Sequence, residues 1–396
     1  MRELEVLDNG HLKLDWEERK AFFEEELEEQ VRSGVKQMLE QALEAERTTR
    51  MAVGRYVRDV ETRRDYRNGY YRRDLGTRLG LLVGLRVPRT RQGSRSELLP
   101  RYQRRQEPVH GLVREAFLRG ISTRRVGTVL EPVLGEAYSA QTVSRILRGL
   151  DGAVERFHRR WLRDDCVYLF LDGVVLKVRD VRGKVRRRVV LVAYSINGKG
   201  RRELLAYRLA EGESEAAWTA FLQGLYQRGL AGRRLRLVIT DGSTGLAAAV
   251  GLVYPQARVQ RCWAHKLRNI ADKVPRKEGS CVAQAAAIYG AANRRRAERA
   301  FRRWAKRWQK KRPRAVACVE RDLEQLLNFF SMPQPHWNKV RTTNVIERAF
   351  REVRRRTRPM SSFTNPASCE RIVFGVINHL NSSWEKKPLK EFTQNA

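Results

Sequence analysis

Acid, cysteine and long apolar runs are all scarce in this sequence, and each scarcity argues against something. Asp and Glu total 45 against 80 Lys and Arg in 396 residues, a net charge of +35. Small acidic or neutral molecules are therefore poor first choices as partners, and a polyanion is the expected one. The five cysteines, Cys166, Cys262, Cys281, Cys318 and Cys369, are odd in number, widely spaced and free of any C-x-x-C pair. That spacing argues against a disulfide framework and against a complete zinc finger. No apolar run approaches the roughly 20 residues that span a bilayer, and the start, MRELEVLDNGHLKLDWEE, lacks a signal peptide's apolar stretch. The expected compartment is the cytoplasm, with no membrane partner.

Lysine is scarce as well, 16 against 64 Arg, a skew that fits guanidinium contacts to phosphate and equally fits genome composition. What is present points to a folded protein. Hydrophobic residues make up 42% and there are 8 Trp, enough apolar surface to offset the entropy of folding. At roughly 100–200 residues per domain, the length suggests two to four folding units.

Charge divides the chain. Residues 1–50 hold 14 acidic and 8 basic residues, net −6, which leaves +41 for the other 346. Between about Asp15 and Arg50, the spacing of Phe22, Phe23, Leu27, Val31, Val35, Met38, Leu39 and Leu43 predicts one long amphipathic helix for packing or dimerisation. Residues 51–110, rich in Gly, Pro and short alternating stretches, read as strands and turns. Tyr66, Arg67, Tyr70, Tyr71, Arg72 and Arg73 interleave rings with cations there, which suits DNA contact or a partly packed solvated face.

Residues 111–160 carry three short helices, in GLVREAFLRG, STRRVGTVLEPVLG and SAQTVSRILRGL. Gly120 follows the first, and Ser122 and Ser139 are expected to cap the second and third. This is helix-turn-helix spacing, with Thr142, Ser144, Arg145 and Arg148 outward on the last helix, where base edges and phosphates are read. Residues 161–262 switch to strands: CVYLFLDGVVLKVR, KVRRRVVLVAYSI and RELLAYRLA form an antiparallel meander. A helix capped by Ser214, the strand LRLVIT, a further helix near Ser243 and a possible fifth strand at 256–262 follow. That order is the order of an α/β ribonuclease H-like catalytic core. Residues 263–338 read as an all-helical insertion, and 339–396 as the core's closing helices.

Three carboxylates stand out by position. Asp172 interrupts an apolar strand at LFLDGVV, where burial demands a compensating partner. Asp241 ends LRLVIT, the edge where open α/β sheets place reactive groups. Glu347 lies on a helix in VIERAF with Asn344 and Arg351 at i−3 and i+4. Each has an ordinary structural explanation as strand end, helix cap or surface ion pair; together, along one core, they suit hard oxygen-seeking cations and phosphoryl transfer.

The segments RNGYYRRDL, LDGVVLKVR, VITDGSTGL, RCWAHKLRNI and RTTNVIERAFREVRRRTRPMSSF, with the ending WEKKPLKEFTQ, resemble bacterial insertion-sequence transposases of the IS256 type, relatives of Mutator elements. The resemblance runs over nearly the whole chain. It implies a DDE triad on Asp172, Asp241 and Glu347 that binds Mg²⁺, with Mn²⁺ able to substitute. It also implies a homodimer on the nucleoid, acting on double-stranded DNA at terminal inverted repeats and at a target. Cys262 and His265 match the family's C-x-x-H signature and are expected to shape the site, with His265 near the scissile phosphate. Arg341, Arg348, Arg351, Arg354, Arg355 and Arg356 are expected backbone contacts beside it. Two other readings remain open at this stage, a non-catalytic DNA-binding regulator and a nuclease or resolvase of the same fold.

Overall fold

The computed structural model describes residues 16–392 apart from positions 60, 94, 95, 101, 102, 120, 136, 359 and 360; the side chains of residues 16, 18, 19, 356 and 357 also lie outside the description. Gly120 as a helix end and Arg356 as a DNA contact therefore fall outside the described residues. The chain divides into two compact units, residues 1–147 and 148–396.

The first unit begins with helix α1 (Trp16–Met51), followed by strands β1 (Arg67–Thr77) and β2 (Gly80–Thr90) and helices α2 (Glu107–Leu118), α3 (Thr123–Leu134) and α4 (Ala140–Arg148). The long helix is present, but its apolar stripe is packed only toward the C-terminal end. Leu39 and Leu43 join Leu75, Leu85, Val87 and Leu99 in a small core, whereas Phe22, Phe23, Leu27, Val31 and Met38 are 42–69% exposed. Length explains the mismatch. A helix of 36 residues runs about 54 Å, and the 11-residue strands beside it run only about 36 Å. Tyr70 is held rather than free: Arg47 donates to its hydroxyl at 3.0 Å, and the guanidinium groups of Arg86 and Arg47 lie 4.6 and 4.8 Å from its ring centre.

The three short helices bury Val109, Val113 and Phe117 from α2, Val126 and Leu134 from α3, and Val143, Ile146 and Leu147 from α4. Ser139 caps α4 by accepting from the Thr142 amide at 3.2 Å. Ser122 precedes α3 in extended conformation, yet its side chain makes no capping bond; its carbonyl takes the Val126 amide at 2.9 Å instead. Gly127 has a clear reason, since a Cβ there would overlap the Tyr138 backbone carbonyl. Arg145, Arg148 and Ser144 are exposed on α4 as expected, and Thr142 is half-buried.

The second unit opens with a further helix, α5 (Asp151–Arg159), and then β3 (Cys166–Arg179), β4 (Val185–Asn197), β5 (Arg202–Ala210), α6 (Glu215–Gln227), β6 (Leu237–Thr240), α7 (Thr244–Val253) and β7 (Arg258–Arg261). The sheet order is β5-β4-β3-β6-β7. The first three strands pair antiparallel, and β6 and β7 run parallel to β3. β3 is central, so its first half is buried on both faces while its second half alternates.

Alternation along β3 sorts its side chains. Leu169 and Leu171 join Trp218, Leu222, Leu246 and Val250 in the core beneath α6 and α7. Phe170 and Asp172 take the other face, the one covered by α14 (Asn344–Thr357) and α15 (Pro366–Glu385). Before those helices come α8 (Trp263–Ala271), α9 (Ser280–Tyr289), α10 (Arg294–Trp308), α11 (Pro313–Glu320), α12 (Leu323–Leu326) and α13 (Trp337–Val340), a helical stretch with no strand among its described residues. Helix α10 buries Ala297, Phe301, Trp304 and Trp308 and exposes Arg295, Arg296, Arg299, Arg302, Arg303, Lys306 and Arg307 on its opposite side.

Candidate active site

Register places the first two carboxylates together. Tyr168, Leu169 and Phe170 of β3 pair with Leu237, Val238 and Ile239 of β6. Two further steps put Asp241 beside Asp172, on strands about 4.8 Å apart. Asp172 is 5% exposed. Burial pushes its carboxyl up to about 6, the negative charges of Asp241 and Glu347 add to that, and His265 and the Thr343 hydrogen bond oppose it. Asp241 accepts the Ser243 amide at 3.0 Å, while Arg261 donates to the Gly242 carbonyl and secures the turn that follows β6.

Glu347 arrives from α14 on the same face. Its Oε1 lies 2.5 Å from Arg268 Nη2 and 3.7 Å from His265 Nε2. The expected same-face neighbour Arg351 is exposed; among the described residues the ion partners of Glu347 come from α8, Arg268 and His265. Among the described residues no three His, Cys, Asp or Glu side chains stand grouped to hold a metal ion. The carboxylates feel one another's charge, but Glu347 is turned toward the α8 cations.

Cys262 and His265 fit together tightly. Cys262 occupies the N-cap of α8, its sulfur accepts the Thr343 amide at 3.2 Å, and the Thr343 hydroxyl lies 3.4 Å from His265 Nδ1. Burial raises the Cys262 thiol, but hydrogen bonds from His265 and Thr343 outweigh it and hold the thiol below its ordinary value. His265 is pushed up to about 9, chiefly by its bond to Cys262 and further by the Cys262 and Asp172 charges, against burial. The imidazole therefore stands positive beside the carboxylates.

Two participants are not apparent in the sequence pattern. Thr343, fully buried, ties the starts of α8 and α14 to Asp172; its place just before NVIERAF was the available signal. Glu213 packs its carboxyl against Gly173, where a Cβ would collide with it. Burial and the Asp241 charge raise the Glu213 carboxyl, with His265 opposing. An acid within EGESEA, at the end of β5, was the clue.

The remaining candidates are spread out. Asn344 begins α14, and Arg348, Arg351, Arg354 and Arg355 are exposed along it, while Ile346, Phe350 and Val353 face inward. Arg355 pairs with Glu352 at 2.9 Å. Arg341 is committed to structure: it donates to the Tyr289 carbonyl at 3.2 Å and lies 4.9 Å from that ring's centre. Arg145 and Arg148 belong to α4. No helix among the described residues is long and apolar enough to cross a membrane.

Comparison with known proteins gives this geometry a context. The chain is 37% identical over 356 residues to the transposase for insertion sequence element ISRM5 of Rhizobium meliloti, covering 89% of this chain and 88% of that protein. It is 36% identical over 352 residues to the IS406 transposase of Burkholderia multivorans, at 88% and 89% coverage. Against the transposase of IS256 in transposon Tn4001 of Staphylococcus aureus it is 32% identical over 380 residues, at 94% and 96% coverage. Residues 8–387 match the family described as Transposase, Mutator family, and the chain belongs to that family.

Proposed function

We propose that the chain cleaves and joins DNA strands at the terminal inverted repeats of an insertion sequence, using a ribonuclease H-like core with a DDE triad of Asp172, Asp241 and Glu347. The observation that carries the reading is the approach of three carboxylates from elements far apart in sequence, on the α14 face of a mixed sheet ordered β5-β4-β3-β6-β7. Strand order, with three antiparallel strands followed by two parallel ones, supports the core; the helical stretch from α8 to α13 corresponds to its insertion.

The donor set suits a hard divalent cation, because three carboxylates offer oxygen ligands and Asp172 bears a desolvation cost that a cation would relieve. Asp172, Asp241 and Glu347 would hold Mg²⁺, or Mn²⁺ in its place, once Glu347 turns from Arg268. Such a cation would supply Lewis acidity to the reacting phosphodiester. His265, held charged by Cys262, faces the negative phosphate and balances the carboxylates around it. Water attacks one phosphodiester and displaces a 3′-hydroxyl; that hydroxyl attacks a second phosphodiester in line, forming the new P–O bond as the 3′-oxygen on the opposite side of that phosphorus leaves.

Recognition belongs to the first unit and to α4 at its end, which presents Arg145 and Arg148 outward in a helix-turn-helix. Arg348, Arg351, Arg354 and Arg355 on α14 and the exposed cations of α10 grip the backbone. The working form is a homodimer, which the uncovered stripe on α1 supports. Purified protein with Mg²⁺ and an end-bearing duplex should nick and join strands, and Asp241→Ala and Glu347→Ala should bind the end yet not join it. Full joining by either variant would remove that residue from the triad, and the absence of any nicking by the parent would refute the enzyme reading.

A further inference from the structure

A cavity of about 600 Å³ lies among β3, β4, α8, α13, α14 and α15, beside the carboxylates and not used by the mechanism above. Its aromatic lining includes Phe170 and Tyr194, both buried, with Tyr289 and Trp384 at the sides. Of the cations around it, Lys339 pairs with Glu391 at 3.1 Å and Arg341 is held by Tyr289, which leaves Arg202 and Arg348 for a ligand; no Asp or Glu is among its described lining residues. Arg202 lies 5.1 Å from the Trp384 ring centre, and its buried Nε has no hydrogen-bond partner among the described residues. Its guanidinium also hydrogen-bonds the Tyr194 side chain, so Arg202 is a fixed cation on the cavity wall, and its charge suits an anionic oxygen.

Apolar walls alone would suit a hydrophobic peptide, and cations alone would suit free phosphate. Flat rings together with guanidinium groups, the amides of Asn338 and Asn344, and no acid suit both halves of a nucleotide, a base to stack and a phosphate to bind. A paired base inside a duplex cannot reach such a recess. Position narrows the occupant further: Asn344 and Arg348 line the cavity from the same helix that carries Glu347, and Ala264 lines it from the helix that carries His265.

We infer that this cavity receives one nucleotide extruded from the bound DNA close to the scissile phosphate, its base against Trp384 and Tyr289 and its phosphate on Arg202 and Arg348. The inference rests on the DNA strand-transfer reading. Extrusion costs the energy of unpairing and unstacking one base, and it is favoured wherever pairing is already weak. A flipped position therefore has a measurable signature, tighter binding when that base is mismatched.

The test uses duplexes copied from the DNA flanking the reading frame, fully paired or with a single mismatch moved one position at a time. Full-length parent should bind one mismatched position about tenfold more tightly than the paired duplex, and 2-aminopurine placed there should change its fluorescence on binding. Trp384→Ala should reduce that tenfold ratio toward one. Arg348→Gln, an exposed change that leaves the core intact, should reduce it as well, so a misfolded Trp384 variant would not end the test. Equal binding at every position, or an unchanged ratio in Arg348→Gln, overturns the inference. A parent that joins strands without any favoured position sinks the cavity and spares the strand-transfer reading. A parent that shows the ratio but never joins strands does the reverse.

Discussion

Asp172→Asn should make the metal-free protein more stable while abolishing its chemistry. The parent carboxyl is raised from an ordinary 3.8 to about 6, so holding it charged in the fold costs about 3 kcal/mol at neutral pH. A raised acid favours the fold below its unfolded value and loses that advantage as pH climbs through its folded value. The cost is therefore absent below about pH 4, grows between about pH 4 and 6, and is full above that. Asparagine keeps the size and can still accept from Thr343, but carries no charge. For a unit the size of residues 148–396, each kcal/mol moves the melting temperature by about 2–4 °C, so the variant should melt roughly 6–12 °C above the parent near pH 8 in a chelator. The assay is thermal unfolding across pH, repeated with Mg²⁺. The variant's advantage should shrink to nothing near pH 4, and Mg²⁺ should raise the melting temperature of the parent alone. A variant no more stable than the parent near pH 8, or a difference independent of pH, would refute the argument that burial and like charge raise Asp172.

Gly127→Ala should cost at least about 2 kcal/mol in the first unit, because the Tyr138 backbone cannot retreat as a side chain can; end binding measured by gel shift should fall while the melting of the second unit is unchanged. The three atoms nearest a Cβ at Gly173 all belong to the Glu213 side chain, which can swing aside, so Gly173→Ala should fold normally, and a loss of joining with intact end binding would report the Glu213 carboxyl's part in the site. Replacing Arg299, Arg302 and Arg303 on α10 by Gln should flatten the dependence of log affinity on log salt by about 0.9 for each phosphate that the helix no longer neutralises; an unchanged slope would remove α10 from the DNA surface. Leu27→Asp with Val31→Asp should shift the protein to monomers in light scattering if the α1 stripe is the dimer seam, and unaltered mass would reject that role.

Much of the candidate site is legible in the sequence because burial and charge conflict there in plain sight. A single Asp in LFLDGVV and another at the end of LRLVIT stand out against apolar neighbours, and the meander followed by a helix and LRLVIT carried the strand order. Glu347 was harder, a helical acid among arginines, and its engagement by Arg268 depends on how two distant helices approach each other, which spacing does not encode. Glu213 was hidden by its surroundings, since acids in a polar turn are commonplace and only the bare backbone of Gly173 gives this one a place to lie. The capping role of Ser122 failed for a local reason, as its carbonyl serves the helix start where its hydroxyl was expected to. The uncovered half of α1 reflects a periodicity that reports an apolar face without saying what meets it.

The placement of α14 near the end of the chain has a consequence for synthesis. Thr343, which fastens β3 to the start of α8, and Glu347 both leave the ribosome long after helices α2 to α4 and all five strands of that sheet. A nascent or truncated chain that stops short of residue 343 can carry the whole of the first unit and both aspartates while lacking the third carboxylate. On the proposed function such a fragment would occupy DNA ends without cutting them, and competence to bind would precede competence to cut in the order of synthesis.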